Sequence, residues 1–130
     1  YEDVPTWLKR VYHRYDFEMN VNYFYQLPDP VLGVHRHYGT DQIRKGTHFV
    51  NSSRYSNPKL DALLDSGAGE PDAAKRTAKY KEIQQILAED MPVVNLFELE
   101  FLVVYNTKLK GVYGSAMGAY GSFREGYLED

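Results

Sequence analysis

The chain has 130 residues, a net charge of −3 and no cysteine, which excludes disulfides and thiolate chemistry and argues against a general affinity for nucleic acid. Apolar residues make up 43%, enough to build a core for a single domain spanning 1–130, and no apolar run approaches the roughly 20 residues that cross a bilayer. Tyrosine is the anomaly, with 12 residues against a single Trp.

In chain order, residues 1–14 read as a helix. Asp3 can cap it, Pro5 suits its first turn, and Trp7, Leu8, Val11 and Tyr12 make its apolar face. Residues 15–25 alternate and are rich in aromatic and β-branched side chains, which predicts a strand. Phe17, Met19, Val21 and Tyr23 would share its buried face, and Asp16, Glu18, Asn20 and Asn22 the wet one. Leu27-Pro28-Asp29-Pro30 must leave the sheet, because two prolines cannot sit in a paired strand. From 31 to 56 the pattern weakens into a polar, Gly-punctuated stretch, with short helical turns expected around 31–37.

The stretch 55–95 is the best specified. Asn57 is an N-cap with Pro58 behind it, Leu60, Leu63 and Leu64 share a face, and Gly67 offers a left-handed exit. A long helix restarts at Asp72 with the apolar stripe Tyr80, Ile83, Ile86 and Leu87, and Pro92 forbids its continuation. Residues 93–99 and 101–105 are strand-like. Residues 111–130, rich in Gly and Tyr, read as strand fragments and loops with a loose acidic end.

Several groupings could carry chemistry. His35 and His37, with His48 later, hint at metal, but no third ligand follows at a fixed spacing, so no metal site and no cofactor are expected. Asp16 and Glu18 on one strand face are close enough for paired acid–base work, which leaves a carbohydrate-active or hydrolytic domain as one alternative. Two carboxylates on a solvated face explain the same pattern. No nucleophile elbow, phosphate loop or His-Glu-x-x-His is present, so no catalytic residue is assigned and an enzyme is not expected. A second alternative is a non-catalytic interaction module using the Tyr-rich residues 113–127. Tyr23, Phe24, Tyr25 and Gln26 are the candidate ligand contacts. They end the predicted strand, where α/β domains place ligands, and tyrosines offer flat apolar area with an orienting hydroxyl.

The string YSNPKLDALLD at 55–65, then D-x-x-K-R, then Y-K-E-I-Q-Q-I-L-A-E-D-x-P-V-V-x-L, closely resembles the C-terminal part of extracellular solute-binding proteins of ATP-driven (ABC) importers. The group is family 5, which includes dipeptide, oligopeptide and nickel-chelate binders. Y-D-F-E-M-N at 15–20, Asp29-Pro30, Tyr105-Asn106 and Lys110-Gly111 extend the resemblance over nearly the whole chain. It implies an α/β fold of the periplasmic-binding-protein type II, with this chain part of the C-terminal lobe and 106–130 a segment returning toward the first lobe. It also implies capture of a peptide or other small solute by hinge closure, delivery to the transmembrane permease subunits, and a periplasmic or extracytoplasmic location.

The chain starts at Tyr1 without a signal peptide and is expected to be a piece of a longer protein. Contact with a membrane would then come only through the permease, or through a lipid anchor on the missing N-terminus. In peptide-binding relatives an aromatic residue precedes the Asp-Pro pair, and three residues on comes an aspartate that pairs with the ligand's amino group. Those places fall on Tyr23 and Gln26. Gln26 cannot neutralise a buried ammonium, which points to a neutral or anionic solute, or to a peptide held differently.

Overall fold

Asp3 opens the first helix, α1 (Val4–Leu8), in a computed structural model that describes residues 2–100, 102–112 and 120–129. Its carboxylate accepts from the Thr6 amide at 2.9 Å and from the Thr6 hydroxyl at 2.9 Å, filling donors that the first turn leaves open. The helix then widens into a π-helical turn, Lys9–Arg14, closed by Tyr15 in the left-handed region at φ 55°. Val11 and Tyr12 are buried there together with Val50, and Trp7, Leu8 and Phe17 pack around them. The helix expected over 1–14 is therefore present, with a widened second half.

The Pro-bounded loop is capped by Asp29. Asp29 accepts from the Val31 amide at 2.9 Å and starts a 3-10 turn, Pro30–Leu32, which leads into α2 (Val34–Tyr38). A second 3-10 turn, Thr40–Gln42, follows. Asn57 then caps α3 (Pro58–Ala68), accepting from the amides of Lys59 and Leu60 at 3.0 and 3.3 Å. Asp72 caps α4 (Ala73–Asp90) by accepting from Lys75 at 2.9 Å. Leu60, Leu64, Ile83 and Ile86 form the core between these two helices, with Leu63, Tyr80 and Leu87 partly buried against it. Val34 and Tyr38 of α2 pack on the same cluster. At about 25 cal/mol per Å² of apolar surface removed from water, this cluster is the main stabilising element of the helical region.

Gly67 does not end α3. The helix runs on to Ala68, and Gly67 is buried inside it, where an added Cβ would stand 3.4 Å from the Tyr80 ring. Its small size lets α4 approach. Met91, at φ 45°, ends α4 ahead of Pro92. The helix ends are tied together by Asp90, which accepts from Tyr55 Oη at 2.5 Å and from Asn57 Nδ2 at 2.9 Å.

The polar stretch before α3 is ordered by one buried amide. Asn51 Nδ2 donates to the carbonyls of Gly39 (3.0 Å) and Tyr55 (2.8 Å), and its Oδ1 accepts from Ser53 Oγ (3.0 Å). Both hydrogens and the oxygen are used, so a segment without hydrophobic period acquires a fixed path.

The strand expected at 15–25 is not formed. These residues carry no regular secondary structure, and their faces are not those the alternation suggests. Phe17 packs inward, but Met19 is 84% exposed, and Val21 and Tyr23 are open as well. Asn22, assigned to the wet face, turns inward and donates from Nδ2 to the buried Tyr12 hydroxyl at 2.8 Å. An isolated strand leaves its own amides and carbonyls unpaired, so a strand pattern yields a strand only where a neighbour completes the ladder. The same holds for the described part of 93–105, which forms no strand either.

The chain divides into two compact units, Tyr1–Val94 and Asn95–Asp130. Within the second, β1 (Leu109–Lys110) pairs antiparallel with β2 (Tyr127–Leu128), Leu109 opposite Leu128 and Lys110 opposite Tyr127. Gly111 follows at φ 71°, and a Cβ there would collide with the Glu125 carbonyl oxygen. Only glycine fits that turn. The result is a helix-rich chain with a small two-stranded sheet, compatible with a fragment of an α/β protein. Residues 113–119, part of the Tyr-rich stretch expected to form a contact surface, lie outside the described residues.

Candidate functional site

The stretch 23–26 is held on α2. The Phe24 ring lies against the His37 imidazole with centroids 3.8 Å apart, and Gln26 Nε2 sits 3.0 Å from His37 Nδ1. Arg36 adds a longer contact, 3.4 Å from one guanidinium nitrogen to the Tyr25 carbonyl. Phe24, half-buried, and Gln26, itself exposed, thus contact the helix, while Tyr23 and Tyr25 are 56% and 39% exposed. The Gln26 side chain lies close against Gly33, where an added Cβ would collide with its Oε1.

His37 is the centre of this arrangement. Only 3% exposed, it is held neutral, its pKa pushed down to about 4 by burial and, secondarily, by the neighbouring Arg36 charge. The Gln26 amide nitrogen can only donate, so Nδ1 accepts and the ring hydrogen falls on Nε2. That nitrogen is buried without a partner. An unpaired buried donor costs about 1–3 kcal/mol.

Outside α2, a chain of contacts fixes the site to the helical core. Arg76 of α4 donates to Asp29 at 2.8 Å, and Asp29 caps the 3-10 turn that leads into α2. The Asp29 carboxyl is held below its usual value by the Val31 amide and by Arg76.

The histidine grouping comes apart. Because 34–38 is helical, an i, i+2 spacing sends His35 and His37 to different faces. His35 Nε2 lies 3.2 Å from Asp41 Oδ1, and His37 turns inward to Gln26. His48 instead meets His13, 35 residues earlier, which no spacing rule could have found. Among the described residues no group of three or more His, Asp or Glu is placed to hold a metal ion. Asp16 and Glu18 line an open groove of about 650 Å³ with Arg10, Tyr15, Phe17 and Met19. Arg10 Nε stands 3.6 Å from the Asp16 carboxylate, and its Nη1 donates to Glu2 Oε1 at 2.7 Å. No described helix is long and apolar enough to cross a membrane.

The chain is similar in part to three proteins, two of them named as periplasmic binding proteins. Over 97 residues it is 29% identical to the probable D,D-dipeptide-binding periplasmic protein DdpA of Escherichia coli K12, a match covering 74% of this chain and 18% of that protein. It is 30% identical over 69 residues to the probable ABC transporter periplasmic-binding protein SapA of the same organism, covering 53% of this chain and 13% of SapA. Protein XP55 of Streptomyces lividans is 34% identical over 67 residues, 52% of this chain and 12% of XP55. The matches thus span less than a fifth of each relative. No family model matches, and no solved structure does. Two of these relatives are named as binding proteins and none as an enzyme.

Proposed function

We propose that this chain is part of the C-terminal lobe of a two-lobed, type II periplasmic-binding-protein-like receptor that serves an ATP-driven importer. The observation that carries the reading is the 97-residue similarity to a periplasmic dipeptide-binding protein, which spans three quarters of the chain. The exposed apolar side chains Met19, Val21, Leu96, Phe97 and Val104 support it, because they are what a sheet leaves bare when the rest of its lobe is missing. The receptor works outside the cytoplasmic membrane, free or lipid-anchored, closes on a small solute and delivers it to the permease subunits.

Within the candidate stretch, Tyr23 and Tyr25 supply the contact area. Phe24 and Gln26 hold that stretch on α2 through His37. A neutral Gln26 beside a neutral His37 provides no anion for a ligand ammonium, so the solute is neutral, anionic, or a peptide whose amine is bound elsewhere. The test is a thermal melt of the longer parent protein with pools of short peptides, N-blocked peptides, sugars and metal chelates. A solute at a hundred times its dissociation constant stabilises by about 2.7 kcal/mol. The expected result is an upward shift with one pool that the double change Tyr23→Ala, Tyr25→Ala removes. Failure of every pool to shift the melt would overturn the reading.

A further inference from the structure

His13 and His48 form a pair that neither the fold nor the proposed receptor role uses. Their Nε2 atoms lie 2.9 Å apart, with ring centroids separated by 5.1 Å. Both residues are exposed, yet both are held from beneath. His13 sits in the π-helical turn directly after the buried Tyr12, and the Gly46 amide donates to the Tyr12 carbonyl at 2.8 Å, fastening the 46–50 loop to that turn. The His48 ring packs on Tyr12 at 5.8 Å, and Phe49 behind it is fixed in the left-handed region at φ 56° while touching both Tyr12 and Trp7. The two imidazoles are thus presented to solvent from a rigid base.

We propose that His13 and His48 chelate a divalent transition ion of the copper and zinc type through their two Nε2 atoms, with water completing the coordination. Imidazole nitrogens bind such ions at about 2.0–2.1 Å, so two of them on one ion stand about 2.9 Å apart at a right angle and about 3.4 Å apart at the tetrahedral angle. The observed Nε2 spacing equals the first of these values, while the 5.1 Å centroid separation shows the rings aimed at each other, so each ring turns to aim its lone pair at the ion. Without metal, a single hydrogen lies between the two nitrogens. For metal to enter, both rings carry their hydrogen on Nδ1 and turn both Nε2 lone pairs toward the ion. Copper(II) is the strongest probe, because it stands highest in the affinity order for nitrogen sites. This inference is independent of the receptor reading, since it involves neither 23–26 nor α2.

The experiment is a titration of the chain with copper(II), followed by calorimetry and by the imidazole proton resonances. One equivalent is expected to bind and to broaden the His13 and His48 resonances before those of His35 and His37. His13→Gln and His48→Gln, which keep a hydrogen-bonding side chain, should each weaken binding roughly tenfold or more, while His35→Gln leaves it unchanged. Equal binding by the wild type and the His13→Gln/His48→Gln double variant would overturn the proposal. So would early broadening of His35 or His37 instead of the pair, a readout that does not depend on how any variant folds.

Discussion

The α3–α4 pair places Leu60, Leu64, Ile83 and Ile86 out of water, whereas the equally apolar Met19, Val21, Leu96, Phe97 and Val104 stand open to it. The difference lies in hydrogen bonding more than in hydrophobicity. A helix satisfies its own backbone within the segment and needs only one partner face, and α3 and α4 are each other's. A strand satisfies nothing by itself, so an apolar stretch at strand spacing remains bare until neighbours supply both ladder and cover. The helices α3 and α4 therefore satisfy each other within the chain, whereas the strand-patterned segments are left without ladder or cover among the described residues.

This contrast can be tested from both sides. The largest loss is expected in the helical region, where Leu64→Ala should cost about 3 kcal/mol through lost burial and the cavity left behind, read by urea unfolding. Acid comes next. His37 is held neutral down to about pH 4 in the fold, while an unfolded chain protonates it near 6.5. The unfolded state thus takes up the extra proton between these values. Stability is full above about pH 6.5 and falls as pH drops toward 4, by about 3 kcal/mol at most, and His37→Gln should flatten that decline. Asn51→Ala should cost about 2 kcal/mol, because it strips partners from two carbonyls at once. Val104→Ala should change the stability of the isolated chain by less than about 0.5 kcal/mol, since that side chain is already in water. A multi-kcal loss from this last change would erase the contrast between the two kinds of segment.

Much of the helical region is legible in the sequence. Asp3, Asn57 and Asp72 cap the helices whose starts they mark, and Asp29 caps the turn after its loop. The Leu60/Leu64 and Ile83/Ile86 stripes meet as their spacing implies. Local rules suffice because caps and stripes act within a few residues. Gly67 misleads because a buried contact with Tyr80, invisible to local rules, outweighs its helix-breaking tendency. The alternation at 15–25 misleads for the opposite reason, since the pattern is present and no ladder partner stands beside it among the described residues. In the candidate site, the aromatic stretch can be picked out from sequence, but its attachment cannot. Gln26 meets His37 and His13 meets His48 across 11 and 35 residues, separations beyond the reach of any local period.

Hydrogen exchange on the backbone amides of 17–25 and 95–105, in this chain alone and within the longer parent that the proposed receptor reading implies, tests the central claim most directly. Fast exchange is predicted in the isolated chain and strong protection in that parent, where the proposal has these segments pair as strands, with α3 and α4 protected in both. Equally fast exchange of these segments in the parent would contradict it.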